Sequence, residues 1–158
     1  MGLEGKFMPI ASREMIILLA EDDDGHAYLV QQNLQDAGVA NRFVRVTDGQ
    51  EVLDYIHREG AFRDRVAGAP MLLLLDINMP RVDGVEVLRR LKADPTTDKI
   101  PVIVLTTTDD PREVRRCYEL GCNSYITKPV EYDRFVEAIR RLGLFLTIVQ
   151  VPREDERD

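Results

Sequence analysis

Met71-Leu72-Leu73-Leu74-Leu75-Asp76-Ile77-Asn78-Met79-Pro80 is the stretch that decides the fold. Five apolar residues in a row, without the three-to-four spacing of a helix face, read as a strand buried on both sides. An acid, Asp76, follows at once, and Asp83-Gly84 marks the turn that closes the segment. Such a strand needs cover on both faces, so helices must flank it.

The rest of the chain supplies them. Residues 15–20 form a second continuous apolar run, another buried strand. Residues 25–37 carry Ala27, Val30, Leu34 and Ala37 at helical spacing and stop at Gly38. Residues 43–46 read as a short strand, and 49–59 as a helix with Val52, Leu53 and Ile56 on one face. Residues 60–70, with Gly60, Gly68 and Pro70, read as a long loop. Val85, Leu88 and Leu91 recur every three residues after the Asp83-Gly84 turn. Pro101 opens a strand over 102–105, and Pro111 sits where the first turn of a helix tolerates it. That helix runs through Val114, Cys117 and Tyr118 to Gly121. A last strand spans 124–126 and a last helix 131–146, through Phe135, Ile139 and Leu142.

Five strands alternating with five helices predict an α/β fold: a doubly wound, five-stranded parallel sheet in the order 2-1-3-4-5, a three-layer sandwich. Residues 1–13, with Gly2, Gly5 and Pro9, read as a flexible lead-in, 14–146 as one domain, and 147–158 as a C-terminal extension with a charged tail.

Composition narrows the function. The 158 residues carry 28 acidic and 21 basic side chains, a net charge of −7. That balance argues against a nucleic-acid binder, which needs a basic face to displace counterions, and against docking on anionic membrane. No apolar run reaches the roughly 18 residues of a membrane span. The N-terminus lacks a signal-peptide pattern, and Lys6 breaks the acylation pattern that Met1-Gly2 begins. A cytoplasmic protein is expected. Cys117 and Cys122 match no usual zinc or redox spacing and read as reduced, partly buried thiols.

In open α/β sheets, sites form beyond the carboxyl ends of the strands. The first run ends in Glu21-Asp22-Asp23-Asp24, the third strand in Asp76-Ile77-Asn78, the fourth in Thr106-Thr107-Thr108 and the fifth in Thr127-Lys128-Pro129. Crowded carboxylates repel unless a cation intervenes. Mg2+ prefers a few carboxylate oxygens plus water and phosphate oxygens. Glu21, Asp22 and Asp76, completed by the backbone carbonyl of Asn78, fit that description. Lys128 offers a point charge to phosphate and Thr106 a hydroxyl donor. Asp76 is then the nucleophile of a phosphoryl-transfer site.

Each of these residues also has a plainer reading. Asp76 alone could be a loop-capping carboxylate, Lys128 a surface lysine, and Tyr125 a packed aromatic. Asp23 and Asp24 suit a helix start, and Thr107, Thr108, Asp109 and Asp110 a turn and cap. His26 and His57 read as surface residues, since neither has a second histidine nearby.

The ordered motifs Ile17-Leu18-Leu19-Ala20-Glu21-Asp22, Leu74-Leu75-Asp76-Ile77-Asn78-Met79-Pro80 with Asp83-Gly84, Val104-Leu105-Thr106 and Lys128-Pro129 resemble the CheY-like response-regulator receiver family over about residues 15–146. The spacings agree, with 30 residues from Asp76 to Thr106 and 52 from Asp76 to Lys128. The resemblance implies a single-domain phosphoacceptor of two-component phosphorelay signalling in bacteria, not a turnover enzyme. It implies that Asp76 accepts phosphate from a sensor histidine kinase or a phosphotransfer protein. Glu21 and Asp22 would then help hold Mg2+, while Thr106 and Lys128 hold the phosphoryl group. Pro129 would follow a cis bond, and Tyr125 would be the aromatic switch. Asn78 and Thr108 fall where the family tunes phosphoryl lifetime. The extension Phe145-Leu146-Thr147-Ile148-Val149-Gln150-Val151-Pro152 and the 60–70 loop resemble the stand-alone regulators of bacterial phytochrome-type kinases, although the chain has no Trp for the tail. Output by protein contact follows, and a homodimer is one candidate.

Three rivals share parts of this pattern. A haloacid-dehalogenase-type phosphatase also uses a strand-end Asp with Mg2+, Thr and Lys, but needs a second Asp where this chain has Asn78. A receiver-like module that is never phosphorylated would have no need of Asp76 with Lys128 and the acidic pair. A flavodoxin-like cofactor site would want a phosphate-cradling loop where Glu21-Asp22 stands.

Overall fold

The computed structural model describes residues 15–107, 109–144 and 148. The lead-in 1–13, Thr108, Phe145, Leu146 and the extension apart from Ile148 lie outside the described residues.

The elements alternate along the chain. They are β1 (Ile16–Ala20), α1 (Asp24–Asp36), β2 (Phe43–Val46), α2 (Gly49–His57), β3 (Met71–Asp76), α3 (Gly84–Ala93), β4 (Val102–Thr106), α4 (Pro111–Glu119), β5 (Ser124–Thr127) and α5 (Tyr132–Arg141). All strand pairings are parallel, in the order β2-β1-β3-β4-β5. Alternate side chains of each strand feed opposite layers, because the side-chain period of a strand is two. Leu18, Leu73, Leu75, Val102 and Val104 pack with Val52, Leu53, Leu88 and Cys117, under α2, α3 and α4. Ile17, Leu19, Leu72, Leu74, Ile103 and Leu105 pack with Val30, Leu34, Phe135 and Ile139, under α1 and α5. Leu72 to Leu75 are fully buried, so the leucine run is the centre of the molecule.

Caps set the helix ends. Asp23, Asp48, Asp83 and Asp110 each accept a backbone N–H from the first turn of α1, α2, α3 and α4. The last helix is shorter than its apolar spacing suggests, ending at Arg141 rather than 146. Gly143 takes a left-handed φ of 71°, its N–H donates to Arg140 O at 3.1 Å, and Leu144 N–H donates to Ile139 O at 2.9 Å. This paired return closes the last carbonyls and stops the helix, while Leu142 and Leu144 still pack on the core. The 60–70 loop contains one turn of 3-10 helix at Gly60–Phe62. Arg65 ties the loop down by donating to Tyr55 O at 2.9 Å and lying over the Tyr55 ring.

Among the described residues, no helix is long and apolar enough to cross a membrane.

Candidate phosphoacceptor site

The carboxyl ends of β1, β3 and β5 bring three distant residues together. Glu21 follows β1, Asp76 ends β3, and Lys128 follows β5. Lys128 Nζ donates to Glu21 Oε1 and lies 3.2 Å from Asp76 Oδ2. The three side chains are 8% exposed or less, so this ionic cluster is walled by protein. Each backbone is fixed by the sheet. Glu21 N–H donates to Val46 O at 3.0 Å, and Lys128 N–H to Thr106 O at 2.7 Å. Asn78 N–H donates to Asp76 Oδ1 at 3.1 Å, which orients the Asp76 carboxylate.

Asp22 is exposed beside this cluster. One carboxylate oxygen each from Glu21, Asp22 and Asp76 fall within 4.8 Å of one another. Burial raises the Glu21 carboxyl above its ordinary range, and Asp76 pushes in the same direction, against the lowering effect of Lys128. A hard divalent ion among three carboxylates relieves that repulsion, so the donor set fits Mg2+ or Mn2+. The neighbouring Asn78 is exposed.

Thr106 is fully buried at the end of β4. Tyr125 is half-buried, and its hydroxyl hydrogen-bonds to the Thr106 side chain; burial raises the phenol. The Lys128–Pro129 peptide bond is cis. Thr107 is exposed.

The structure thus groups Glu21, Asp22, Asp76 and Lys128 and joins Thr106 to Tyr125. It also adds a residue that the sequence reading set aside. His26 Nδ1 lies 3.4 Å from Lys128 Nζ and 3.9 Å from Glu21 Oε1. The available signal was its place three residues after the cap Asp23, in the helical turn that follows the acidic pair. His26 also lines a cavity of about 270 Å3 with Leu29, Thr107, Lys128 and Pro129, open beside the cluster. A larger cavity of about 520 Å3 lies at the opposite end of the sheet, around Met15, Arg65, Lys99 and Pro101, away from the carboxylates.

Comparison with known proteins agrees with this geometry. The chain matches the response regulator receiver domain over residues 17–140. It is 37% identical over 147 residues to a probable methanogenesis regulatory protein, FilR2, of Methanothrix harundinacea, covering 90% of this chain and 92% of that one. It is 36% identical over 113 residues to the response regulator Rcp1 of Synechocystis, covering 72% and 76%. The Mn2+-bound structure of Rcp1 aligns with a TM-score of 0.68 at 32% identity, covering 88% of this chain and 99% of that one. The bacteriophytochrome response regulator RtBRR aligns with a TM-score of 0.79 at 39% identity, covering 90% and 86%. With its strand order, its acidic rim and its matched length all in agreement, the chain belongs to the response regulator receiver domain family.

Proposed function

We propose that this chain is a single-domain response regulator that accepts a phosphoryl group on Asp76 and signals by protein contact. The observation that carries the reading is Asp76 held at a sheet rim 3.2 Å from Lys128, with Glu21 and Asp22 beside it. The donor is a phosphohistidine of a sensor histidine kinase or of a phosphotransfer protein. The likeness to the bacteriophytochrome response regulator RtBRR favours a phytochrome-type kinase.

An Asp76 carboxylate oxygen attacks phosphorus, the P–N bond breaks, and its electron pair leaves with the donor imidazole. Glu21, Asp22 and Asp76, with the Asn78 carbonyl, would hold Mg2+, which supplies charge neutralisation at the phosphoryl oxygens. Lys128 exchanges its carboxylate partners for a phosphoryl oxygen, and Thr106 donates its hydroxyl to another. Drawing Thr106 toward the phosphoryl group breaks its bond to Tyr125 and changes the space that the ring occupies. The face built from α4, β5 and α5 is then a two-state element biased by one local charge event. Its partner is a target protein or a second copy of the chain. The residue two after Asp76 is Asn78, which offers no general acid and counts against turnover of phosphate esters.

The test is incubation with Mg2+ and acetyl phosphate followed by intact-mass measurement. One phosphoryl group should add to the wild type and none to Asp76→Asn. Labelling that survives in Asp76→Asn refutes the site.

A further inference from the structure

We infer that His26 is a positioning residue for Lys128, an uncharged third acceptor that holds the ammonium at the mouth of the site while its carboxylate partners change. The inference rests on the proposed roles of Asp76 and Lys128.

A lysine ammonium has three donors and no acceptor. Here its three neighbours are Glu21 Oε1, Asp76 Oδ2 at 3.2 Å and His26 Nδ1 at 3.4 Å. Because Lys128 can only donate, a hydrogen bond between the two requires Nδ1 to accept and the imidazole proton to sit on Nε2. His26 is fixed at this spot by the helix start, since its backbone N–H donates to the cap Asp23 Oδ1 at 2.8 Å. Asp23 in turn stands two residues after Glu21, and its own N–H donates to Glu21 Oε2 at 3.2 Å. The turn that supplies the acidic pair therefore also delivers the imidazole.

The chemistry explains why an uncharged acceptor suits the place. Phosphorylation turns Asp76 into the acyl phosphate, and Glu21 would be shared with a divalent cation, so both carboxylate partners of Lys128 are weakened. With the phosphoryl oxygen as its one strong acceptor, the ammonium would keep more freedom in the opening beside Thr107 and Pro129. A carboxylate at residue 26 would keep the ammonium but compete with the phosphoryl oxygens for it. A neutral imidazole nitrogen restrains the ammonium and leaves its charge for the phosphoryl group. His26 is 45% exposed on its side chain, so its replacement leaves the core intact.

Two measurements test this. The first is the rate of Asp76 labelling by acetyl phosphate in the wild type, His26→Ala and His26→Asn. The Asn amide oxygen can occupy the place of Nδ1. One lost hydrogen bond corresponds to a rate about three- to tenfold lower in His26→Ala, and His26→Asn should recover most of it. The second is the 15N NMR signature of the His26 ring at pH 8. Wild type should show the Nε2–H tautomer, and Lys128→Met should shift it toward a mixture. Equal rates in wild type and His26→Ala, an Asn variant as slow as Ala, or a ring signature indifferent to Lys128→Met each overturn the inference while leaving the phosphoacceptor reading intact. Absence of labelling in the wild type, or labelling of Asp76→Asn, takes down both.

Discussion

Arg81 grips Asp48 with two prongs, Nε to Oδ2 at 2.9 Å and Nη2 to Oδ1 at 2.9 Å. The pair joins the loop after Asp76 to the start of α2, because Asp48 is also the cap that accepts Glu51 N–H at 2.8 Å. Arg81 holds a left-handed φ of 64° to reach it, and Gly49 lies against Val82 so closely that an added Cβ would meet Val82 O at 1.8 Å. The loop that carries Asn78 is therefore strapped to a neighbouring helix. Asp48→Ala removes both the cap and the ion pair and should cost about 1–2 kcal/mol. Arg81→Ala removes only an exposed pair and should cost less than about 1 kcal/mol. Urea midpoints at unchanged slope measure both; equal losses would mean that the cap contributes nothing.

Gly84 opens α3 directly against the Asp76 backbone. A Cβ there would lie 2.3 Å from Asp76 O and 2.5 Å from Ile77 Cα. These are backbone atoms, which cannot rotate aside. Gly84→Ala should destabilise by about 1–3 kcal/mol or more, and should slow labelling of Asp76 by displacing its carbonyl. A stable, fully labelled variant would contradict the packing described.

Glu21 supplies a pH dependence. Its carboxyl is raised above 4.5, first by burial and then by Asp76. The folded, metal-free protein thus holds this proton more tightly than the unfolded chain. The Glu21 contribution to stability is complete below pH 4.5 and falls as pH rises through the raised value. A divalent cation held by Glu21 would offset that cost. Denaturation in chelator and in Mg2+ should diverge as pH increases above 4.5, and Glu21→Gln should shrink the divergence. Parallel curves for wild type and Glu21→Gln would count against Glu21 as a ligand.

The thiols should be inert in the fold. Burial pushes Cys122 up to about 12 and raises Cys117 as well. The nucleophile is the thiolate. Iodoacetamide at pH 8 should leave both unmodified in the native protein and alkylate both in urea. The folded state keeps these protons while the unfolded chain loses them near 9, so stability should decline as pH rises above 9. Rapid native alkylation, read by mass, would show the thiols to be accessible.

Much of this protein is legible along the chain, because strands and helices are written in local periodicity. Leu72 to Leu75 announce a strand covered on both faces, and Gly38 and Gly121 mark helix ends, whereas the stop at Gly143 is hidden because the apolar spacing continues to Leu146. The residues at strand ends are legible for the same reason, since a parallel sheet sends every carboxyl end to one rim. The contacts across that rim are not. Glu21 and Lys128 are 107 residues apart, and only the register of β1, β3, β4 and β5 makes them touch. The grip of Arg81 on Asp48 spans 33 residues and depends on a left-handed turn that no residue type at position 81 signals. The one signal for His26 is its place in the turn after the acidic pair, and its contact with Lys128 is set by where the first turn of α1 passes the end of β5. Local sequence determines which elements form and which way they run, because those preferences act over a few residues. Which side chains share a hydrogen bond is decided by long-range packing, and only the assembled sheet contains that information.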